Sequence, residues 1–389
     1  MRVQLVVTFA AGAASALAVL ALAGVPRRDT TRNADAPRAA PVLMSPATGF
    51  VSPPKPAQRF TYAPIDPARE LIEPIPESIE EFFEDYLERD YHPELIELGR
   101  RLFHDPRLST DNSISCATCH DLRYGGADRA VTPTGHLGQI GSMNTPTVFN
   151  AVFHLGQFWD GRAPDLEAQV DGPPNTPTEM ASNWEEISAK LNTDGSLMAD
   201  FERAFPEGEF DESVDARFVR LAIAEFERTL ITPNAPFDRY LRGDTGAVSE
   251  AAKEGYQLFK DVGCIECHNG MGVGGGSFQV VGRRKPYFDP GMSDVHLGRF
   301  NVTGLAADKH VFKVGSLRNI ELTAPYLHDG SLDKLEDVVR MMADHQIGRS
   351  ISDSEVTRIV EFLRSLTGEY GGRPLKSLQN TITFRAAGD

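Results

Sequence analysis

The sequence is organised around a short stretch that occurs twice, as Cys116-Ala117-Thr118-Cys119-His120 and as Cys264-Ile265-Glu266-Cys267-His268. The chain has 4 cysteines, and all of them belong to these two stretches. The pattern C-x-x-C-H attaches c-type haem, because two thiols must reach the two vinyl groups of one porphyrin and the adjacent imidazole then binds the iron. The sequence therefore predicts two covalently bound haem c groups, with His120 and His268 as proximal iron ligands.

Two other uses of paired cysteines fit less well. In a zinc site the two C-x-x-C pairs usually lie about 15–20 residues apart, and here they are far more widely separated. Redox-active disulfides are the second alternative, but nothing thioredoxin-like surrounds either pair. Histidine follows both pairs directly, although the chain has only 10 histidines among 389 residues. Haem attachment is therefore the interpretation that explains all the residues of the motif.

Length and charge narrow the class of protein. A chain of 389 residues allows two or three domains, and a hydrophobic content of 41% can fill their cores. The net charge of -16 argues against nucleic acid and anionic membranes as partners. It suits a basic redox partner that is steered by charge, although acidity is also common among soluble proteins.

The first residues read as a targeting segment. Residues 1–25 are almost wholly apolar after Arg2, and they end in an A-x-A-like cleavage site at Ala21-Leu22-Ala23. A run of this length is also sufficient to span a bilayer as an uncleaved anchor. We favour a signal peptide with export to the periplasm, and tethering to the inner membrane is the alternative. In both cases the haem domains lie outside the cytoplasm.

The remaining chain divides into four predicted parts. Residues 26–76 are rich in proline and form a disordered tether, although a fixed path over the surface stays open for residues 60–76. Residues 77–232 form the N-terminal haem c domain. A breaker segment, Thr232-Pro233-Asn234-Ala235-Pro236, separates it from the C-terminal haem c domain at residues 233–369. Residues 370–389 are a C-terminal tail.

The predicted fold class is mainly α, with two cytochrome c-like haem domains and long loops. A helix begins at Pro93 and ends before Pro106, and the last clear helix begins near Ser352 with Glu355 completing a capping box. Before the two haem motifs, Gly99-Arg100-Arg101-Leu102-Phe103 is echoed by Gly255-Tyr256-Gln257-Leu258-Phe259. The repeat predicts duplicated haem units in which each glycine lets a helix pack closely.

The second haem needs a second axial ligand, which the helix starting near Lys334 can supply. An apolar series that begins at Leu335 includes Met342 on its buried face. Met341 lies about 100° away around the helix, and His345 follows one turn later, so both stay open as alternatives. A haem with histidine and methionine ligands would have a high potential and would accept electrons rather than react.

The first haem needs a face that opens. His136 lies on a loop with Gly135, Gly138 and Gly141, which is a flexible support for a ligand that binds and leaves, although a surface histidine is the plainer interpretation. Peroxide chemistry at an open face also needs a group that moves a proton. Glu179 and Gln169 are candidates, with solvated side chains as the alternative. Trp159 is either an electron carrier between the haems or a core indole.

Further motifs accompany the two haem-binding stretches. They are Leu102-Phe103-His104-Asp105-Pro106-Arg107-Leu108-Ser109, Phe158-Trp159-Asp160-Gly161-Arg162, Pro236-Phe237-Asp238-Arg239-Tyr240, Ser316-Leu317-Arg318-Asn319 and Ala324-Pro325-Tyr326-Leu327-His328-Asp329-Gly330. With them the chain, from Leu95 to Gly368, resembles the bacterial di-haem cytochrome c peroxidases, a group that also contains the MauG-type enzymes. The resemblance implies that the N-terminal domain is peroxidatic and that the C-terminal domain transfers electrons.

The resemblance also implies roles for individual residues. It makes His136 the displaceable distal ligand of the first haem, Trp159 the interhaem tryptophan, and Gln169 and Glu179 the distal catalytic pair. Met342 becomes the distal ligand of the second haem. A calcium ion between the haems would be bound by Asn144 and by backbone oxygens of Thr323 and Pro325, and oxygen ligands are what calcium prefers. The tail would pack back on the first domain.

The implied activity is the reduction of hydrogen peroxide to water with electrons from a small donor, a cytochrome c or a blue copper protein. We also expect a homodimer. One alternative is a MauG-like oxidase that modifies a partner protein, but those enzymes carry tyrosine in place of the methionine ligand. The other is a non-catalytic electron carrier with both irons permanently capped. One departure from the family pattern is Gly315, which stands where many relatives have proline before Ser316.

Overall fold

The computed structural model describes residues 71–206, 208–210, 213–289 and 292–379. Its first α-helices are α1 (Ile79–Glu81), α2 (Pro93–Phe103), α3 (Cys116–Cys119), α4 (Leu166–Val170), α5 (Gly172–Asn175), α6 (Trp184–Leu191) and α7 (Gly195–Ala204). They are followed by α8 (Ala216–Arg228), α9 (Pro236–Leu241), α10 (Glu250–Val262), α11 (Phe300–Thr303), α12 (Leu335–Met341), α13 (Asp353–Arg364) and α14 (Leu375–Leu378). The predicted mainly α fold class is confirmed.

The strands are short and form two antiparallel pairs in the described part of the chain. One pair joins β1 (Phe278–Val280) to β2 (Val311–Lys313), with Gln279 opposite Phe312. The other joins β3 (Glu369–Tyr370) to β4 (Arg373–Pro374). Much of the remaining chain consists of loops and 3₁₀ turns, and a π-helical turn, Met342–Ile347, continues α12.

Two crossed helix pairs form the centres of two hydrophobic cores. In the first core α2 packs against α8, and in the second core α10 packs against α13. A Cβ atom on Gly99 would lie 1.9 Å from the carbonyl oxygen of Ala222, and one on Gly255 would lie 1.8 Å from that of Arg358. Both crossings therefore require glycine, and the predicted close packing at the two glycines is confirmed.

The predicted start and end of α2 and the predicted start of α13 are confirmed, but α13 ends at Arg364, before the predicted end at Gly368. Pro93 is the first residue of α2, where its missing N–H leaves no hydrogen bond unmade, and the helix ends at Phe103 before Pro106. The side chain of Ser352 accepts a hydrogen bond from the Glu355 N–H, while the Glu355 carboxylate accepts one from the Ser352 N–H. This capping box starts α13.

A second repeat lies in the loops that follow each haem motif. In the first half residues of positive φ stand at Asn150, Phe158 and Gly161, and in the second half they stand at Asn319, Leu327 and Gly330. Asn150 corresponds to Asn319, Phe158 to Leu327 and Gly161 to Gly330, and the two residues of each pair are separated by the same number of positions. Each loop is also closed by one antiparallel bridge, Gln157 with Ala163 and Tyr326 with Leu332. The duplication therefore extends well beyond the haem motifs.

Buried polar contacts join the two halves at the predicted boundary. The amide of Asn150 donates to Oγ1 of Thr232 at 2.8 Å, and the amide of Asn319 donates to the same oxygen at 3.0 Å. Nearby, Arg318 forms an ion pair with Asp238, in which Nη1 lies 2.7 and 2.8 Å from the two carboxylate oxygens, and both side chains are 0% exposed. The motif that contains Arg318 and the motif that contains Asp238 are therefore joined by this buried ion pair.

The tether prediction is wrong for its last residues. Ile72 and Ile75 are buried, and the carbonyl oxygen of Leu71 accepts a hydrogen bond from the Gly270 N–H at 2.7 Å. Arg318 also donates to the carbonyl oxygen of Glu73 at 2.9 Å. Ile72 packs in the second core and Ile75 packs with Phe82 and Phe83, so residues 71–76 follow a fixed path, which was the alternative. The predicted segments 1–25 and 26–70 lie outside the described residues.

The tail returns to the first core. Leu375 is buried among the residues around α2 and α8, and the ring of Tyr370 lies 5.1 Å from that of Phe149. These contacts support the predicted return of the tail, of which residues 380–389 lie outside the described range. Within the part of the chain that the structure describes, no helix is long and apolar enough to cross a membrane.

Candidate functional site

Each cysteine pair opens into a cavity. The first cavity has a volume of about 420 Å³, and the predicted site residues in its wall are Cys116, Cys119, His120, Asn144, Trp159, Gln169 and Glu179. The second has a volume of about 230 Å³ and is bordered by Cys264, Cys267, His268, Met342, Asn144, Trp159, Thr323 and Pro325. The structure thus brings together all the predicted site residues except His136.

The two predicted proximal histidines, His120 and His268, have surroundings that favour neutral imidazoles. Nδ1 of His120 lies 3.2 Å from the carbonyl oxygen of Gly126 and must donate to it, which leaves Nε2 as the free lone pair. Burial lowers the pKa of His120 and lowers that of His268 to about 4, because the protonated ring is poorly solvated inside the protein. Neither ring therefore competes with a metal for a proton at neutral pH.

The wall of the first cavity also carries the predicted acid–base pair, Glu179 and Gln169. Glu179 follows α5, and its backbone N–H is held by the carbonyl oxygen of Thr176 at 3.0 Å. Burial raises the pKa of its carboxyl group, an effect that the nearby Arg162 guanidinium partly opposes. Gln169 lines the same cavity from α4. A carboxyl group with a raised pKa exchanges protons more readily near neutral pH.

His136 lies on the loop beside Glu179 but outside the wall of the first cavity. Its backbone N–H donates to the carbonyl oxygen of Glu179 at 2.7 Å. Its Nδ1 lies 3.2 Å from Oδ2 of Asp111, at an angle unsuited to a hydrogen bond. The neighbouring Gly135 does line the cavity, and a Cβ there would lie 2.0 Å from the carbonyl oxygen of Thr178. In this loop conformation Gly135 is part of the cavity wall and the imidazole of His136 is not.

The three candidate ligands of the second haem lie in different surroundings. Met342 lines the second cavity at the point where α12 passes into the π-helical turn. Met341 is buried in the protein but not in that wall. His345 lies with its Nδ1 at 3.1 Å from the carbonyl oxygens of Lys285 and Pro286. Met342 is therefore the one of the three that faces the cavity.

Trp159 belongs to the wall of both cavities. Its indole N–H donates to the carbonyl oxygen of Asn144 at 2.8 Å, and its own carbonyl oxygen accepts from the Lys313 N–H at 2.9 Å. The indole also lies edge-on to His328, with 6.5 Å between the ring centres. The ring is thus fixed between the two sites.

Sequence reasoning missed Lys313 and His154, which also border both cavities. Nζ of Lys313 lies 3.0 Å from Nδ1 of His154, and burial lowers the pKa of the lysine to about 7. Within the described residues, Nζ forms no ion pair with a carboxylate, and Nε2 of His154 is buried without a hydrogen-bond partner. A buried ammonium group without a carboxylate beside it and a buried ring N–H without an acceptor fit the carboxylate groups of haem, so the wall suits the cofactor that the cysteines attach.

The predicted calcium ligands also meet at the second cavity. Asn144 uses its amide nitrogen to donate to the carbonyl oxygen of Ala130 at 2.9 Å, so its side-chain oxygen is the atom that a cation would use. Thr323 and Pro325 lie in the same wall. A further polar cluster nearby was not foreseen: Nδ1 of His296 lies 3.0 Å from Nε2 of His328, close to the carboxylate of Asp329.

Comparison with known proteins places this site in a family. Residues 93–246 match the family described as di-haem cytochrome c peroxidase. The cytochrome c peroxidase of Escherichia coli K12 is 48% identical over 276 residues, which are 71% of this chain and 58% of that protein. The cytochrome c551 peroxidase of Nitrosomonas europaea is 46% identical over 276 residues, which are 71% of this chain and 80% of that protein.

MauG proteins are also related to the chain. The methylamine utilization protein MauG of Methylorubrum extorquens is 37% identical over 257 residues, 66% of this chain and 69% of that protein. A MauG-like protein associated with microbial copper homeostasis has a solved structure that matches with a TM-score of 0.65 at 25% identity, over 79% of this chain and 96% of that one. With both haem motifs opening into cavities built for the cofactor, the chain belongs to the di-haem cytochrome c peroxidase family and has two haem c groups as its cofactors.

Proposed function

We propose that the protein is an exported peroxidase that reduces hydrogen peroxide to water with electrons from a small redox protein, a cytochrome c or a blue copper protein. The observation that carries this proposal is the difference between the two cavity walls. Glu179 and Gln169 line the first cavity, whereas Met342 lines the second. One site thus has groups for moving a proton, and the other has a soft thioether ligand that favours electron transfer.

The haems supply the electron transfer and the reactive iron, and the protein supplies the protons and the path. Reduction of one peroxide consumes two electrons and two protons and yields two waters. Glu179 would take the proton from one peroxide oxygen and deliver it to the other, which would leave as water. Gln169 orients the peroxide by hydrogen bonding. Trp159 spans the wall between the sites and carries the electrons across it.

Peroxide turnover by the protein reduced by one electron tests this function. We expect rapid consumption of peroxide with a stoichiometry of two donor electrons for each peroxide. A protein that never turns over peroxide in this state is an electron carrier with capped irons. Oxidation of a partner protein's side chains instead of the small donor would indicate the MauG-like activity, against which Met342 argues.

Three further parts of the proposal concern the surroundings of the site. We propose that calcium binds at Asn144, Thr323 and Pro325, since all three line the second cavity and offer oxygen ligands. We propose that residues 77–232 and 233–369 act as the peroxidatic and the electron-transferring domain. The apolar residues 1–25 support export to the periplasm.

Replacement of Met342 by histidine is expected to keep both haems but to lower the reduction potential of the second one, because a thioether is exchanged for a stronger donor. A spectroelectrochemical titration measures this directly. Met341→Leu is the matched control, since Met341 does not line the cavity. In this variant the potential of the second haem should equal that of the wild type. An unchanged potential in Met342→His would assign the ligand to another residue.

Replacement of His136 by alanine is expected to make the fully oxidised enzyme active without prior reduction. The imidazole is proposed to cap the first iron in the oxidised state and to leave when the second haem is reduced, which the glycines of its loop permit. The measurement compares peroxide turnover before and after reduction by one electron. His104→Ala, at an exposed histidine, should retain the requirement. If His136→Ala retains it too, His136 does not gate the site.

A further inference from the structure

The duplicated helices α8 and α13 can be compared residue by residue. Phe226 on α8 contacts Gly99, and Phe362 on α13 contacts Gly255, at equivalent points of the two crossings. One turn earlier, Ile223 lines the first cavity and Ile359 lines the second. The register of the two helices against their cavities is therefore the same.

One position in this register differs in chemistry. The residue after Phe226 is Glu227, and the residue after Phe362 is Leu363. Both side chains line their cavities and both are buried, with 5% of Glu227 and 3% of Leu363 exposed. The first haem site thus has a carboxyl group in its wall where the second has an isobutyl group. Burial of a carboxyl group lowers the stability of the folded protein, and Leu363 shows that a hydrophobic residue fits the equivalent position.

The surroundings of Glu227 leave its charge poorly compensated. Arg228 is the neighbouring cation that favours ionisation of Glu227. However, the Arg228 guanidinium is already bound to Glu225 at 2.6 Å and to Glu167 of α4 at 3.1 Å. From α3, Cys116 faces Glu227, and its sulfur becomes an uncharged thioether when haem is attached.

Other charged groups border the same space. The remaining titratable residues of the first cavity are Cys119, His120, His154, Asp160, Arg162, Glu179 and Lys313. On α2, which packs against α8, Arg100 is paired with Glu97, and Arg101 is paired with Asp194 and Asp200. Burial outweighs the attraction of Arg228 and raises the pKa of Glu227 to about 8.

We propose that Glu227 is a proton-accepting group linked to reduction of the first haem, an assignment that rests on the proposed function. Addition of one electron makes the site more negative by one charge, and the Glu227 carboxylate then binds one proton from solvent. Ferric haem, one electron, one proton and the carboxylate are converted into ferrous haem and the carboxylic acid, so charge and atoms balance. Leu363 has no group that can bind a proton, so reduction of the second haem is not linked to proton uptake at this position.

The direction of the effect follows from the charge. Where Glu227 is ionised, its negative charge stabilises the oxidised iron, so the potential of the first haem falls as the pH rises through about 8. For one proton per electron the equilibrium constant changes tenfold per pH unit, which corresponds to about 59 mV. At alkaline pH the difference between the two haem potentials is therefore larger, and an electron from the donor stays on the second haem.

The test is a spectroelectrochemical titration of both haems in the intact protein from about pH 6 to about pH 10, without peroxide. In the wild type the first potential should fall above about pH 8, by up to 59 mV per unit. In Glu227→Gln and Glu227→Leu it should be independent of pH over this range. The second haem is the internal reference, and Glu185→Gln, at an exposed glutamate, is the control variant.

Infrared difference spectra between oxidised and reduced protein supply a second readout. At a pH above about 8, where Glu227 is ionised in the oxidised protein, a protonated carboxyl band should appear on reduction in the wild type and be missing in Glu227→Gln. The proposal is overturned if both variants keep the wild-type pH dependence, or if the wild type shows none. If Glu227→Leu fails to bind haem, Glu227→Gln decides, because its side chain has nearly the same shape. A protein without peroxidase activity would still give either result, so the two proposals fail separately.

Discussion

Replacement of Glu179 by glutamine is expected to lower peroxide turnover by about 10²–10⁴-fold, the usual contribution of general acid–base catalysis. Glutamine keeps the shape and the hydrogen-bonding groups of the side chain but cannot exchange a proton. Without that exchange the far oxygen of peroxide must leave as hydroxide, which is a much poorer leaving group than water. Burial raises the pKa of Glu179, so the wild-type carboxyl group is suited to accept and return the proton near neutral pH.

The measurement is the initial rate of peroxide consumption by enzyme reduced by one electron. Haem content and the spectra of both haems should match those of the wild type, because Glu179 is not proposed to bind iron. Glu185→Gln is the matched control, since that glutamate is exposed and lies nearby in the chain. Its rate should be unchanged. A rate for Glu179→Gln within threefold of the wild type would remove Glu179 from the mechanism.

Replacement of Arg318 by methionine is expected to lower the free energy of unfolding by about 3–5 kcal/mol, the usual effect of breaking a buried ion pair. The change leaves the fully buried carboxylate of Asp238 without its cation. It also removes the donors from the carbonyl oxygens of Met271 and Glu73, which Arg318 holds at 2.6 and 2.9 Å. Met271 follows the second haem motif, so the loop after that motif should loosen as well.

Urea unfolding, followed by helical circular dichroism and by haem absorbance, measures the loss. Arg364→Met is the control, because Arg364 and Glu361 form an exposed pair with 46% and 37% of their side chains accessible. Exposed pairs contribute at most about 1 kcal/mol. The double variant Arg318→Met with Asp238→Leu should recover much of the stability. A single variant as stable as the control would show that the buried pair is not required.

Short-range sequence signals predicted the parts of the fold that depend on them. A proline at the first turn of α2 and a capping box at α13 act within a few residues, so their effects are visible in the sequence itself. The glycines at the helix crossings were found because they recur at the same distance before Leu-Phe. Residues 71–76 were misjudged because prolines nearby suggested disorder, whereas burial of Ile72 and Ile75 depends on a core that is formed by distant residues.

The part of the site that could be predicted is the part whose sequence motif has a single chemical use. Cysteine pairs followed by histidine identify haem attachment without any tertiary information. Lys313, His154 and Glu227 were missed because lysine, histidine and glutamate are usually solvated, and only the fold shows that these three are enclosed. A signal for the loop repeat was present in the matched Asn150 and Asn319, each followed at the same distance by Asp-Gly. The repeat becomes informative only once both loops are known to border cavities.

Because Trp159, His154 and Lys313 border both cavities, neither haem site is complete within its own half of the chain. A fragment ending near residue 232 would keep the tryptophan and the histidine but would lose the lysine, and the complementary fragment would have the opposite deficit. The duplication that created two haem units thus also made them interdependent. Either half on its own would therefore leave part of its cavity wall open to solvent.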